Sequence, residues 1–169
     1  MELINDVEYS KVKFRQDILQ AEVEIKQMIE DNVLEDNLSN CVVTHYFTPM
    51  DKEYGCGTYA RKMFIPKGTL LTGKIHKQKH LNFVMQGKIT VITEHGTQLI
   101  EAPHIFISEP GVKRAGYAEE DTIWVTIHLT KHLGEDSLDK MEEEVTANSY
   151  DELGLLSSIN NLFKLEEVL

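Results

Sequence analysis

Residues 81–101 read LNFVMQGKITVITEHGTQLIE. Three short runs rich in β-branched and apolar residues, 81–86, 88–93 and 98–101, are separated by Gln86-Gly87-Lys88 and Glu94-His95-Gly96. Glycine within two polar neighbours is turn chemistry, and runs this short suit strands better than helices. Working outward, the same texture continues on both sides. Further strands are expected near 42–47, 58–65, 69–76, 105–108, 112–118 and 122–129. Pro66-Lys67-Gly68, Glu109-Pro110-Gly111 and Glu119-Glu120-Asp121 are read as the hairpin turns between them. No helical pattern of about 10–15 residues interrupts the block, which argues against a parallel α/β sheet and for an antiparallel sandwich or closed jelly-roll barrel.

Outside this block the periodicity changes. Ile18, Ala21, Ile25, Met28, Ile29 and Val33 recur at helical spacing, so a helix is expected over 14–35. Beyond His128 the chain turns acidic. Ser137 is placed to cap a helix running to Ala147, Ser149-Tyr150-Asp151-Glu152 has the form of a capping box, and 158–169 carries a third helical stripe. The expected organisation is an N-terminal helical arm (1–40), a β-barrel (41–130) and an acidic helical tail (131–169).

Composition limits the function. The chain has 169 residues, 41% of them hydrophobic, and a formal net charge of -11. That is one domain with a real core, and its acidic surface argues against nucleic acid as a partner. No apolar run approaches the roughly 20 residues of a membrane-spanning helix. Met1 is followed by polar and acidic residues rather than a secretory pattern. Two cysteines, Cys41 and Cys56, are too few for a disulfide framework in a chain of this length. A cytoplasmic protein with free thiols is expected.

The chemistry concentrates in Gly73-Lys-Ile-His76-Lys-Gln-Lys-His80-Leu-Asn82-Phe-Val-Met-Gln-Gly87. Alternate residues of a strand share a face, so Leu70, Thr72, Lys74 and His76 are expected to point one way, and His80, Asn82 and Val84 to share a face of the next strand. A turn at Lys77-Gln78-Lys79 would bring the two imidazoles together. Neutral imidazoles are ligands for Zn, Fe, Ni or Mn, and a stable site needs a third donor. His128 is the preferred third ligand. A three-residue turn at 119–121 would set Val112 opposite His128, on the face that also carries Arg114. His104 is the next candidate, His45, His95 and His132 rank below it, and His95 reads as exposed in its Glu-His-Gly turn. An arginine directed into a barrel needs an anion, so Arg114 should pair with a buried carboxylate or hold the carboxylate or phosphate of a ligand. Lys74, Asn82 and Tyr117 complete the expected binding residues.

The stretch from Gly73 to Gly87 resembles the first motif of the cupin superfamily: a Gly, a His-x-His pair, a Glu a few residues on and a closing Gly. Anchored on Gly87, the glutamate slot falls on His80, the second histidine slot on His76 and the first on Lys74. Pro110-Gly111-Val-Lys-Arg114-Ala-Gly-Tyr117 resembles the second motif, with Arg114 in its histidine slot. The resemblance implies a cupin-type antiparallel jelly roll over about residues 58–129. At a finer level, His76 to Asn82, Pro110 to Tyr117 and Glu120 to His128 are similar to small cupin-fold proteins of tailed bacteriophages, which implies work in an infected bacterial cell.

Three functions fit these residues. One is a metal-binding cupin, catalytic or not. A second is a metal-free barrel like the sugar-nucleotide epimerases, with His76 as base, Tyr117 as acid and Lys74 and Arg114 around a phosphate. A third is a non-catalytic module that binds a host or phage protein or joins the virion. Self-association as a homodimer or higher oligomer is expected through the strand at 42–47 and the helix at 14–35.

Overall fold

The structure is a computed structural model and describes residues 6–155. The helical stripe at 158–169 lies outside the described residues. Helix α1 (Asp6–Glu30) starts earlier and stops earlier than its apolar spacing suggests. Asn32 adopts φ 57, and the Val33 amide bonds back to the Met28 carbonyl, which ends the helix before Val33 can join its apolar face.

Eleven strands follow: β1 (Val42–Phe47), β2 (Gly57–Ile65), β3 (Leu70–Thr72), β4 (Ile75–His76), β5 (His80–Gln86), β6 (Lys88–Thr93), β7 (Gly96–Glu101), β8 (His104–Ser108), β9 (Ala115–Ala118), β10 (Thr122–Thr130) and β11 (Thr146–Ala147). One antiparallel sheet has the order β1-β2-β10-β5-β8 and a second β3-β9-β6-β7. The pairings β2 with β10, β3 with β9, β5 with β8 and β6 with β7 nest inside one another. A long hairpin wound on itself into two facing sheets is a jelly roll. The fold is therefore mainly β, an antiparallel jelly roll with an N-terminal helix and short C-terminal helical turns.

This winding corrects the hairpin reading of several turns. Of the turns read as hairpins, only Glu94-His95-Gly96 joins hydrogen-bonded neighbours, β6 and β7. The chain crosses between sheets at 66–68, at Gly87, at 109–111 and at 119–121. Consequently β9 and β10 do not pair, and Val112 is not opposite His128: β9 bonds to β3 and β6, while β10 bonds to β2 and β5. The expected strand 69–76 is likewise split. β3 follows β9, then the chain breaks at Gly73-Lys74 and β4 pairs with β11 instead. Leu70 is exposed and Thr72 bonds outward to Glu22 of α1, so they do not share a face with His76.

The main core lies between the sheets at one end of the barrel: Ile65 and Val84 from the first sheet, Ile89, Val91, Ile100 and Ala118 from the second. At the other end α2 (Leu138–Val145) packs Met141 and Val145 on Tyr59. β11 then pairs Thr146 with His76 and Ala147 with Ile75. The expected helix through Ala147 thus stops at Val145, since the next two residues are used as a strand. Ser137 makes no capping bond there, and Glu152 accepts from the Asn148 amide rather than from that of Ser149. Helix α1 is held to the barrel by a buried Arg15–Glu94 fork, 2.7 and 3.0 Å, and by Glu22 with Lys113 at 3.3 Å. No helix of the described residues is long and apolar enough to cross a membrane.

Candidate metal centre

The inner face of the first sheet is built in rows that the register defines. Met63, Trp124, Val84 and His104 form an apolar row. Next come His45, Arg61, Thr126, Asn82 and Phe106. The third row is Phe47, Tyr59 and His128, and one residue past the Ile127–Leu81 partnership it continues to His80 and Ser108. Alternation dictates this layering. His80, Asn82 and Val84 are buried, while Leu81 between them and Met85 after them are exposed.

His76 comes to this row from across the barrel mouth. Three backbone contacts hold it: the β11 ladder, the Gly111 amide donating to its carbonyl at 2.8 Å, and the Lys77 amide donating to Val145 at 2.8 Å. The ring centroids of His76, His80 and His128 are then 4.1, 5.0 and 4.4 Å apart, taken pairwise. One ring nitrogen from each lies within 4.8 Å of the other two. His104 stands in the apolar row beside Phe106, outside the cluster.

Three buried ring nitrogens, His76 Nδ1, His80 Nε2 and His128 Nδ1, have no hydrogen-bond partner. Native proteins seldom leave such atoms orphaned, and a cation shared by all three would satisfy them at once. His80 Nδ1 contacts the Gln78 carbonyl at 3.1 Å, so it carries the proton and leaves Nε2 as a lone-pair donor. Backbone orientation of this kind is the usual support of a metal-ligating histidine.

Burial sets the charge state. It pushes His76 down to about 2, with His80 and His128 adding repulsion, and His128 down to about 3. His80 is also lowered by burial, the Gln78 contact opposing. All three rings are neutral at pH 7, the form that ligates metals.

A pH dependence follows for the metal-free protein. Unfolded histidines take up protons below about pH 6.5. The folded protein refuses them at His76 until about 2 and at His128 until about 3. Acid therefore favours unfolding between those limits, by up to about 1.4 kcal/mol per pH unit for each ring. Denaturant midpoints of metal-free protein at pH 7.5 and pH 5 should fall steeply with acid, and less so in His76→Gln/His128→Gln. Equal falls would refute this.

Below the histidines a cavity of about 600 Å³, solvent at its mouth included, runs into the barrel. Its lining includes Arg61, His76, Asn82, Arg114 and Trp124. Arg114 donates through Nη2 to Ser108 Oγ and lies over the Phe106 ring at 5.5 Å. Asn82 Nδ2 donates to the same Ser108 Oγ at 2.6 Å, and Trp124 Nε1 donates to Asn82 Oδ1 at 3.0 Å. Burial brings the Arg114 guanidinium down to about 10, still charged at neutral pH. Lys74 lines the rim, with its ammonium on Glu142 at 2.6 Å. Tyr117 is not in the cavity. It is 44% exposed, on the outer face of β9 opposite Leu70 and Thr90. The His76–Tyr117 acid–base pair of the metal-free reading is therefore not formed.

Arg61 and Ser108 escaped the sequence reading. Arg61 had a signal: Tyr59, Arg61, Met63 and Ile65 share one parity of β2, and an arginine among apolar residues at inward parity carries the same implication as Arg114. Ser108 had none, because a serine at the end of a strand is ordinary.

No protein-family profile matches the sequence. No curated protein matches it either. Among solved structures, KdgF from Halomonas sp. is similar at 12% identity and TM-score 0.41, over 56% of this chain and 82% of that one. An RmlC-like cupin from Shewanella frigidimarina NCIMB 400 is similar at 15% identity and TM-score 0.42, over 56% and 79%. Ectoine synthase from P. lautus is similar at 14% identity and TM-score 0.44, over 59% and 72%.

Proposed function

We propose that this protein is a cupin whose barrel holds a divalent transition metal, Zn, Fe, Ni or Mn, on His76, His80 and His128. The observation that supports the reading most directly is the set of three convergent, neutral, buried ring nitrogens without partners. With three protein ligands, a bound metal would keep open positions and supply Lewis acidity to a molecule in the cavity. The chain's own groups do the rest. Gln78 fixes the His80 tautomer, β11 and Gly111 fix His76, and the Ser108–Asn82–Trp124 bonds hold the wall below. Tyr59, bonded to His45 at 2.8 Å and stacked 6.4 Å from His128, backs the third ligand.

The test is metal content after stripping and reloading the full chain with each metal in turn. Close to one equivalent that survives dialysis is expected. Near-zero content with every metal would remove the reading.

The likeness of three segments to phage cupins supports work in the cytoplasm of an infected bacterium, with a host or phage protein as a further partner. Comparing purified virions with infected-cell lysate by mass spectrometry tests this, and absence from both would end it. For self-association, the support is an exposed apolar outer face, with Met85, Ile105, Ile107 and Leu129 each more than 60% exposed. Light scattering at high concentration should exceed the 19.4 kDa of one chain. A monomer there would overturn the expectation.

A further inference from the structure

The cavity beneath the histidines has a charge imbalance that a metal does not relieve. Arg61 and Arg114 both line it, and no carboxylate does among the described residues. Among the described residues Arg114 bonds to the Ser108 hydroxyl and lies over the Phe106 ring, and it forms no ion pair, Glu109 nearby being held by Lys79. No hydrogen bond or ion pair joins Arg61 to another described residue. The third cation of the lining, Lys74, is already matched by Glu142. Both guanidinium charges reach His76 and His80. Glu142, which shares the adjoining pocket with Arg61, is taken by Lys74. Two arginines lining a barrel with no carboxylate paired to either are costly, and a metal on the histidines would add charge of the same sign. Beside the polar His76, Asn82 and Thr126, the wall has an apolar side made by Met63, Leu71, Ile89, Val91 and Trp124.

We infer that the cavity takes a small organic carboxylate, whose anionic head seats on the Arg61 and Arg114 forks and whose hydrocarbon body lies along the apolar wall. A guanidinium fork matches the planar carboxylate with two parallel bonds. A bare, strongly hydrated phosphate would gain nothing from the apolar residues. The inference deepens the metal reading, since the ligand would sit beside the same histidines. Its anchor, however, is arginine.

The probe is cyclohexanecarboxylate, with cyclohexanecarboxamide as its neutral shape match and inorganic phosphate as the competing anion. Titration calorimetry on the full chain should show binding of the carboxylate only. Arg61→Met and Arg114→Met, each confirmed folded by circular dichroism, should weaken it about tenfold or more. Should a Met variant not fold, Arg114→Lys keeps the charge and loses the fork, and a several-fold weakening is expected. Equal binding of the amide, phosphate binding without carboxylate binding, or undiminished affinity in folded arginine variants would overturn the inference.

A parallel titration of EDTA-stripped protein separates the two readings. Arginine-dependent binding without metal supports the carboxylate site even if metal loading fails. Binding that vanishes with EDTA and ignores both arginines overturns the carboxylate site and leaves the metal reading standing.

Discussion

His76→Ala/His80→Ala is expected to abolish metal binding and, with it, the metal-dependent rise in melting temperature. A ligand that binds only the folded state stabilises it by about 4 kcal/mol at a thousandfold excess over its Kd. For a chain of 169 residues that corresponds to a rise of about 8–16 °C. The wild-type protein should show such a shift on adding its metal, and the double variant should show none. The metal-free forms should behave differently. Replacing two buried imidazoles that resist protonation by methyl groups leaves a void but removes two orphaned nitrogens, so the variant should fold and should tolerate acid better than the wild type. Thermal scans with and without metal at pH 7.5 read this directly. A shift of equal size in both proteins would show that the metal sits elsewhere.

The second large effect lies away from the centre, at Gly87. This residue carries the chain from β5 in one sheet to β6 in the other, with φ at 81. A Cβ added there would stand 2.2 Å from the Asp121 carbonyl oxygen, 2.8 Å from its carbon and 2.9 Å from Thr122 Cα. All three are backbone atoms at the neighbouring crossover, so a rotamer change gives no relief. Gly87→Ala combines left-handed strain with overpacking and should cost about 3 kcal/mol or more. Gly68→Ala is the matched control, since Gly68 has φ at 82 and nothing within 4 Å of its added Cβ. It should cost only the conformational part, about 1–2 kcal/mol. Urea denaturation of both variants measures the difference, and equal midpoints would mean that the crossover relaxes freely.

Gly87 also shows what the sequence could convey. Period-two alternation located most strands to within a residue or two, because a strand half-buried in a barrel must alternate. The same rule put His80, Asn82 and Val84 on one buried face. What alternation cannot express is which strands are partners. A turn that reverses the chain within a sheet and one that hands it to the facing sheet use the same Gly and Pro chemistry, and Gln86-Gly87-Lys88 and Glu94-His95-Gly96 look alike. His128 is a case in point. The sequence argument for it runs through a β9–β10 pairing that does not exist, yet it stands in the cluster because its parity on β10 faces inward beside β5. His76 was reached by the short turn to His80, whereas its orientation depends on residues 146–147, which look helical in isolation. Tyr117 fails by the alternation rule itself: it is three residues from Arg114, hence of opposite parity, and on β9 that parity faces outward.

The pairing of β4 with β11 has a consequence for biosynthesis. A nascent chain that has reached Thr130 already contains His76, His80 and His128, and every strand of the two facing sheets. It does not yet contain Thr146 and Ala147, the strand that fixes the first of those imidazoles. The strands of both facing sheets are therefore made before the segment that fixes His76, and the geometry of the three-histidine cluster waits for residues 146–147 to be made and to pair with β4.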